Sequence, residues 1–247
     1  MRLTVAFTPH GLTAADLAGR TVFVIDILRA TTTMAAALHH GARAVIPAPS
    51  TEEALKLAQT LGSDDVLLAG EQGAVRIEGF ALGNSPREMT PETVRGKTLV
   101  MTTMNGTRAL LATQGASAVY PAAAANFSAA ATRAREVWER DQDLLILCAG
   151  REEAFGLDDA YAAGRLAAAV LGARNRLKGL NDSAIAALGL VRRYGDNWER
   201  PLTLSAAGRD LKENGFRDDI RAAAEPDAYP LLLQFSDRRV TGVAAQP

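Results

Sequence analysis

Residues 21–48 read TVFVIDILRATTTMAAALHHGARAVIPA, and the order of residue types in this stretch decides the fold class. Val22 to Ile27 is an apolar, β-branched run of the kind that forms a strand buried on both faces. Asp26 alone interrupts it. The run stops at Leu28, Arg29 follows, and Thr31, Thr32 and Thr33 introduce a helix-forming segment from Met34 to His40 that ends at Gly41. A strand, a polar turn and a capped helix start in this order predict an α/β unit. Free amides at such a turn, the positive end of the helix, and the opposite charges of Asp26 and Arg29 together describe an oxyanion site with a carboxylate ready to hold a metal.

Working outward, Leu3–Phe7 reads as a strand ending at Pro9-His10-Gly11, with His10 expected on an exposed loop. Ala44–Ile46 is a short strand. Ser50 followed by Glu53 forms a capping box for a helix through Leu61. Val66–Ala69 is a further strand, closed by the tight turn Gly70-Glu71-Gln72-Gly73. The connection from Gly70 to Pro91 is long for a compact domain, which marks it as functional. Within it Ser85 is a cap and Pro86 a first helical position.

A shift of 74 residues lays Thr32–Ala48 on Gly106–Ala122 without gaps. Thr33 meets Thr107, Gly41 meets Gly115, Val45 meets Val119 and Pro47 meets Pro121. These matches fall at element boundaries and predict two structural repeats, over about 21–74 and 95–154, in one α/β domain spanning residues 1–247. Leu144–Cys148 is then the counterpart of Val66–Ala69, and Ala149-Gly150-Arg151-Glu152 of Ala69-Gly70-Glu71. The halves differ where chemistry is expected: Asp26 falls opposite the apolar Val100. The second turn, Thr102 to Arg108, offers Asn105, Gly106 and Thr107 as a second anion cradle.

Beyond Cys148, helices are expected over Leu157–Ala173, Asn181–Tyr194 and Ser205–Asn214, and a strand over Leu231–Phe235. Asn197 to Arg200 reads as a surface turn. Asp158 and Asp159 fall in a first helical turn.

Charge is almost balanced, with 27 basic and 28 acidic side chains and no Lys/Arg cluster, which argues against nucleic acid. One cysteine, Cys148, excludes an internal disulfide, and no Cys/His cluster suggests zinc. Neither a signal-peptide core nor a membrane-length apolar run is present, so a cytoplasmic protein without membrane contact is expected. Apolar helix faces point to a homodimer.

In order, VIDILRATTT, AGEQG with GF and GNSP, TTMNGT, CAG with LDDAYAAG, and SxxGxxLxxxGF with DDI resemble the 2-phosphosulfolactate phosphatase (ComB) family from about residue 3 to 240. The resemblance implies a three-layer α/β/α fold with two repeats. It also implies Mg²⁺-dependent hydrolysis of (2R)-2-phospho-3-sulfolactate to sulfolactate and phosphate. Two alternatives are phosphatase action on a related phosphorylated acid, and binding of such an acid without turnover. A nucleotide-dependent phosphoryl transferase is disfavoured because no GxxxxGK[ST] segment occurs.

Mg²⁺ takes oxygen ligands, commonly one or two carboxylates with water and substrate phosphate. Asp26, Glu71, Asp158 and Asp159 are the candidates, each near the carboxyl end of an expected strand. Asp26 serves either as nucleophile or beside an activated water. A guest with phosphate, carboxylate and sulfonate calls for guanidinium and amide donors. Arg29, Arg87 and Arg108, with Thr31, Thr32, Asn105, Gly106 and Thr107, are the residues expected to bind it. Cys148 is expected to be an inert core thiol, and His39 and His40 to close a helix.

Overall fold

The computed structural model describes residues 2–62, 64–172 and 178–243. Its first half runs β1 (Leu3–Ala6), α1 (Ala14–Leu17), β2 (Thr21–Ile25), α2 (Ala30–His39), β3 (Ala44–Pro47), α3 (Thr51–Leu61), β4 (Val66–Gln72) and the short β5 (Val75–Arg76). Then come α4 (Pro91–Val94), β6 (Thr98–Thr102), α5 (Gly106–Leu111), β7 (Ala118–Ala122), α6 (Phe127–Glu139) and β8 (Leu144–Cys148). The last part is α7 (Leu157–Leu171), α8 (Asp182–Tyr194), α9 (Glu199–Leu204), α10 (Ala206–Glu213), α11 (Arg217–Ala223), β9 (Leu232–Ser236) and β10 (Arg239–Val243). Of the expected helix through Ala173, that last residue lies outside the described set. No helix among the described residues is long and apolar enough to cross a membrane.

The strands form one sheet in the order β1-β8-β2-β7-β9-β10-β3-β6-β4-β5, with helices on both sides. Two parallel leaves, β8-β2-β7 and β3-β6-β4, flank the antiparallel β9-β10 hairpin. The succession strand–helix–strand–helix–strand occurs over Thr21–Gln72 and again over Thr98–Cys148. In each leaf the central strand comes from one of these runs and both of its neighbours from the other. The carboxyl ends of β2 and β6 are therefore central in their leaves, and the loops after them can meet.

All five residues of β2 are buried. Phe23 and Ile25 join one core with Tyr120, Ile146 and the helix residues Ala134, Tyr161 and Leu166. Val22 and Val24 join the other with Met34 of α2 and Leu110 of α5. Alternation along a strand buries both faces, each large side chain contributing about 1.5–3 kcal/mol. Alanines fill α2, where a larger side chain would hold the helix away from the sheet.

Two expectations need correction, and one strand is additional. α2 begins at Ala30, not Met34, because Asp26 and Ile27 accept bonds from the first threonines and wind the turn into helix. The Asn197–Arg200 stretch is no surface turn: Trp198 is buried at the start of α9, against Tyr161 (ring centroids 5.3 Å apart) and Phe127 (5.4 Å). β10 was not anticipated. It follows a hairpin turn at Asp237-Arg238, where both residues have positive φ without a glycine to signal it.

A carboxylate-lined cleft where the two leaves meet

One cleft opens at the carboxyl ends of the parallel strands and receives residues from both leaves. Asp26 follows β2, Glu71 lies in β4, Asn105 follows β6, and Gly150 and Arg151 follow β8. Asp158 and Asp159 come from the first turn of α7, and Asp210 from α10.

Asp26 is 7% exposed. Its Oδ1 accepts from the Ala30 amide at 3.3 Å and its backbone carbonyl from the Thr31 amide at 2.9 Å. The expected anion at the start of α2 is therefore already supplied by the chain's own carboxylate, where the helix dipole favours it. Oδ2 faces the start of α5. A Cβ on Gly106 would lie 2.5 Å from that oxygen and 2.5 Å from Ala30 Cβ, so only glycine lets the starts of α2 and α5 come together. Asp26 and Asn105 thus share one cleft.

The acids are held in different ways. Asp159 accepts from the Ile27 amide at 2.9 Å and the Gly150 amide at 3.1 Å, one with each oxygen. It ties the loop after β2 to the loop after β8. Gly150, with φ +65°, has no room for a side chain: a Cβ would lie 2.9 Å from Phe7 O. Glu71 accepts from the Met104 amide at 3.1 Å and the Ala74 amide at 2.9 Å, tying β4 to the loop after β6. For Asp158, the amides of its own helix start and the Ser205 hydroxyl favour the charged form without outweighing its burial.

Burial pushes the Asp26 carboxyl up to about 7, with the charges of Asp158 and Glu71 adding to the rise. Burial likewise raises Asp158 to about 6. Asp159 is held well above its ordinary value, first by burial and then by Asp158 and Asp26. Three acids that resist ionisation together are poised to take a cation.

Arg29 is 3% exposed and lies over the Phe216 ring, 4.6 Å from its centroid. Its Nη1 donates to Asp219 Oδ2 at 2.8 Å and its Nη2 to Ala74 O at 2.7 Å. Ser85 donates to the other Asp219 oxygen at 2.7 Å. Arg151 pairs with Asp210 across the cleft.

Asp26, Arg29, Glu71, Asn105, Asp158 and Asp159 all line this cleft, and Gly106 backs it. The other expected contacts do not. Thr31 and Thr32 are buried and donate to Asp26 O and Ile27 O, each at 2.8 Å. Thr107 donates to Thr103 O at 3.0 Å, and its amide is bonded to Thr103 Oγ1. Hydroxyls at helix starts are drawn to their own backbone, so these three build the turns and do not reach the cleft. Arg108 points outward from α5, and Arg87 is an exposed partner of Asp218 at 3.6 Å. His10 is on the surface, 3.4 Å from Glu153. Cys148 is fully buried, its thiol raised by burial and by the charges of Asp159 and Asp158.

Asn84, Arg151 and Asp210 line the cleft without having been expected there. For Asn84 and Arg151 the signal was present in the GNSP and AGRE turns. Asp210, on an amphipathic helix, carried none.

Six carboxylates, those of Asp26, Glu71, Glu152, Asp158, Asp159 and Asp210, line the cleft against the two guanidinium groups of Arg29 and Arg151. Such a lining repels an anionic guest unless a cation intervenes. The donors are hard oxygens, as Mg²⁺ or a similar ion requires. No group of three or more His, Cys, Asp or Glu side chains among the described residues is gathered closely enough to cage an ion. Use of one or two carboxylates, with water and a bound phosphate completing the shell, fits that arrangement.

The profile of the family described as 2-phosphosulpholactate phosphatase matches residues 6–238. A protein of Symbiobacterium thermophilum named probable 2-phosphosulfolactate phosphatase is 39% identical over 227 residues, 92% of this chain and 96% of that protein. A Thermus thermophilus protein of the same name is 43% identical, over 85% of this chain and 87% of its own length. A third from Caldanaerobacter subterraneus is 36% identical, over 91% of each.

Proposed function

This chain belongs to the 2-phosphosulpholactate phosphatase family, and from that membership we propose that it is a Mg²⁺-dependent phosphatase hydrolysing (2R)-2-phospho-3-sulfolactate to (2R)-3-sulfolactate and phosphate. The observation that carries this reading is the cleft, where acids from both leaves face Arg29, Arg151 and Asn105. The raised Asp26 and Asp158 carboxyls mark it as a place where charge is missing.

Asp26 and Asp158 would hold the ion, while Glu71, both of whose oxygens serve backbone amides, holds the loop after β6 in place. Asp159, both of whose oxygens serve backbone amides, fixes the walls. When bound, the ion neutralises phosphoryl oxygens that would otherwise be repelled. Asn105 and the two arginines orient the remaining anionic groups of the guest. Asp26 Oδ2, which accepts from no amide among the described residues, takes the proton of the attacking water. The water oxygen bonds to phosphorus while the bond from phosphorus to the C2 oxygen breaks. That bond's electron pair leaves on the C2 oxygen, which takes up a proton from solvent as Asp26 releases its own.

The experiment is phosphate release from a panel of phosphorylated three- and four-carbon acids, with and without a sulfonate, in Mg²⁺ and in EDTA. Release from 2-phospho-3-sulfolactate is expected to exceed that from the other acids by at least about tenfold in kcat/KM, and to vanish in EDTA. Ligand-induced stabilisation without any phosphate would make the protein a binder and refute the reading.

A further inference from the structure

Asn84 is 4% exposed and lines the cleft, yet its side-chain Oδ1 has no hydrogen-bond partner among the described residues. An unpaired polar atom inside a protein lowers its stability and needs an explanation. The segment around this residue is fixed in place. Asn84 O accepts from Thr33 Oγ1 at 2.9 Å, and the Gly83 amide donates to Glu88 Oε2 at 2.7 Å. Ser85, next in the chain, binds the Asp219 carboxylate that holds Arg29. One strap therefore carries the unpaired amide and, through Asp219, braces the cleft's buried guanidinium.

A 180° turn of the amide exchanges its oxygen and nitrogen without altering its shape, so Asn84 can give an N–H to a ligand oxygen. We propose that Asn84 is a substrate-binding residue, its amide acting with Arg29 on one oxyanion of the phosphorylated acid. This rests on the phosphatase reading above and names a contact that the sequence motifs did not assign. The Arg29 guanidinium, braced by this strap through Asp219, favours an anion over a cation at this wall.

The test uses Asn84→Leu, close in volume and without polar atoms, and Asn84→Asp, close in shape and bearing charge. The melting shift given by Mg²⁺ alone should remain that of the native protein in the leucine variant. With Mg²⁺ present, affinity for inorganic phosphate or for sulfolactate, titrated separately, should fall at least tenfold in both variants. The anion affected identifies which group is bound, and KM should rise in step. Retention of both affinities within twofold would overturn the proposal, as would loss of the Mg²⁺ shift in Asn84→Leu, which would make Asn84 a cation ligand. Failure of the phosphatase reading is separate: it would appear as ligand-induced stabilisation of the native protein with no phosphate released.

Discussion

Asp26→Asn should reduce kcat more than about a thousandfold, roughly 4 kcal/mol in the activation barrier, while leaving the protein folded. Asparagine keeps the oxygen that accepts from the Ala30 amide at 3.3 Å, so the start of α2 stays wound. It removes the charge that burial already opposes. Loss of activity and loss of fold are thereby separated. Circular dichroism and thermal melting should match or exceed those of the native protein in the absence of metal, whereas phosphate release is lost. A variant retaining more than about a tenth of the native rate would remove Asp26 from the chemistry.

A second large effect is expected at Asp219→Ala, in stability. Asp219 is 1% exposed and Arg29 3%, so the alanine leaves a buried guanidinium without its counter-charge and Ser85 without its acceptor. Removing one partner of a buried ion pair costs about 3–5 kcal/mol, because the remaining charge is left desolvated. Urea denaturation should show the full loss in Asp219→Ala. It should show a smaller loss when Arg29→Met is combined with it, since no charge then remains uncompensated. Additive losses in the double variant would show that the two residues do not act as a pair.

These two residues mark how far the sequence could be read. Asp26 was legible because a carboxylate in an otherwise apolar, β-branched run has few structural uses at a strand end. The α/β alternation was legible from the apolar runs at β2, β4 and β8. The Arg29–Asp219 pair spans 190 residues, and no local pattern announces it. The placement of the threonines was hidden for a related reason. A hydroxyl in a turn reads as a donor to a ligand, but a helix start lies nearer, and Thr31, Thr32 and Thr107 satisfy their own backbone. Arg87 and Arg108 carry the right chemistry but are exposed and outside the lining of the cleft. Residue type was visible; direction was set by packing. Two anion cradles were expected, and an acidic cleft with two bound arginines stands in their place. That difference makes a cation central to the account.

The raised acids also fix how the cation's effect should depend on pH. Asp26 near 7 and Asp158 near 6 in the folded chain lie above the ordinary 3.8, so without metal the folded state holds protons there that the unfolded chain has lost. Stability contributed by these two groups therefore falls as pH rises from about 4 to 7. A cation competes with those protons and stabilises most when they are gone. The decisive measurement is the rise in melting temperature on adding Mg²⁺ at pH 5 and at pH 8, for the native protein and for Asp26→Asn. The account predicts a rise that is larger at pH 8 and largely lost in the variant. An equal rise at both pH values, or one that survives Asp26→Asn unchanged, would contradict a cation site built on these carboxylates.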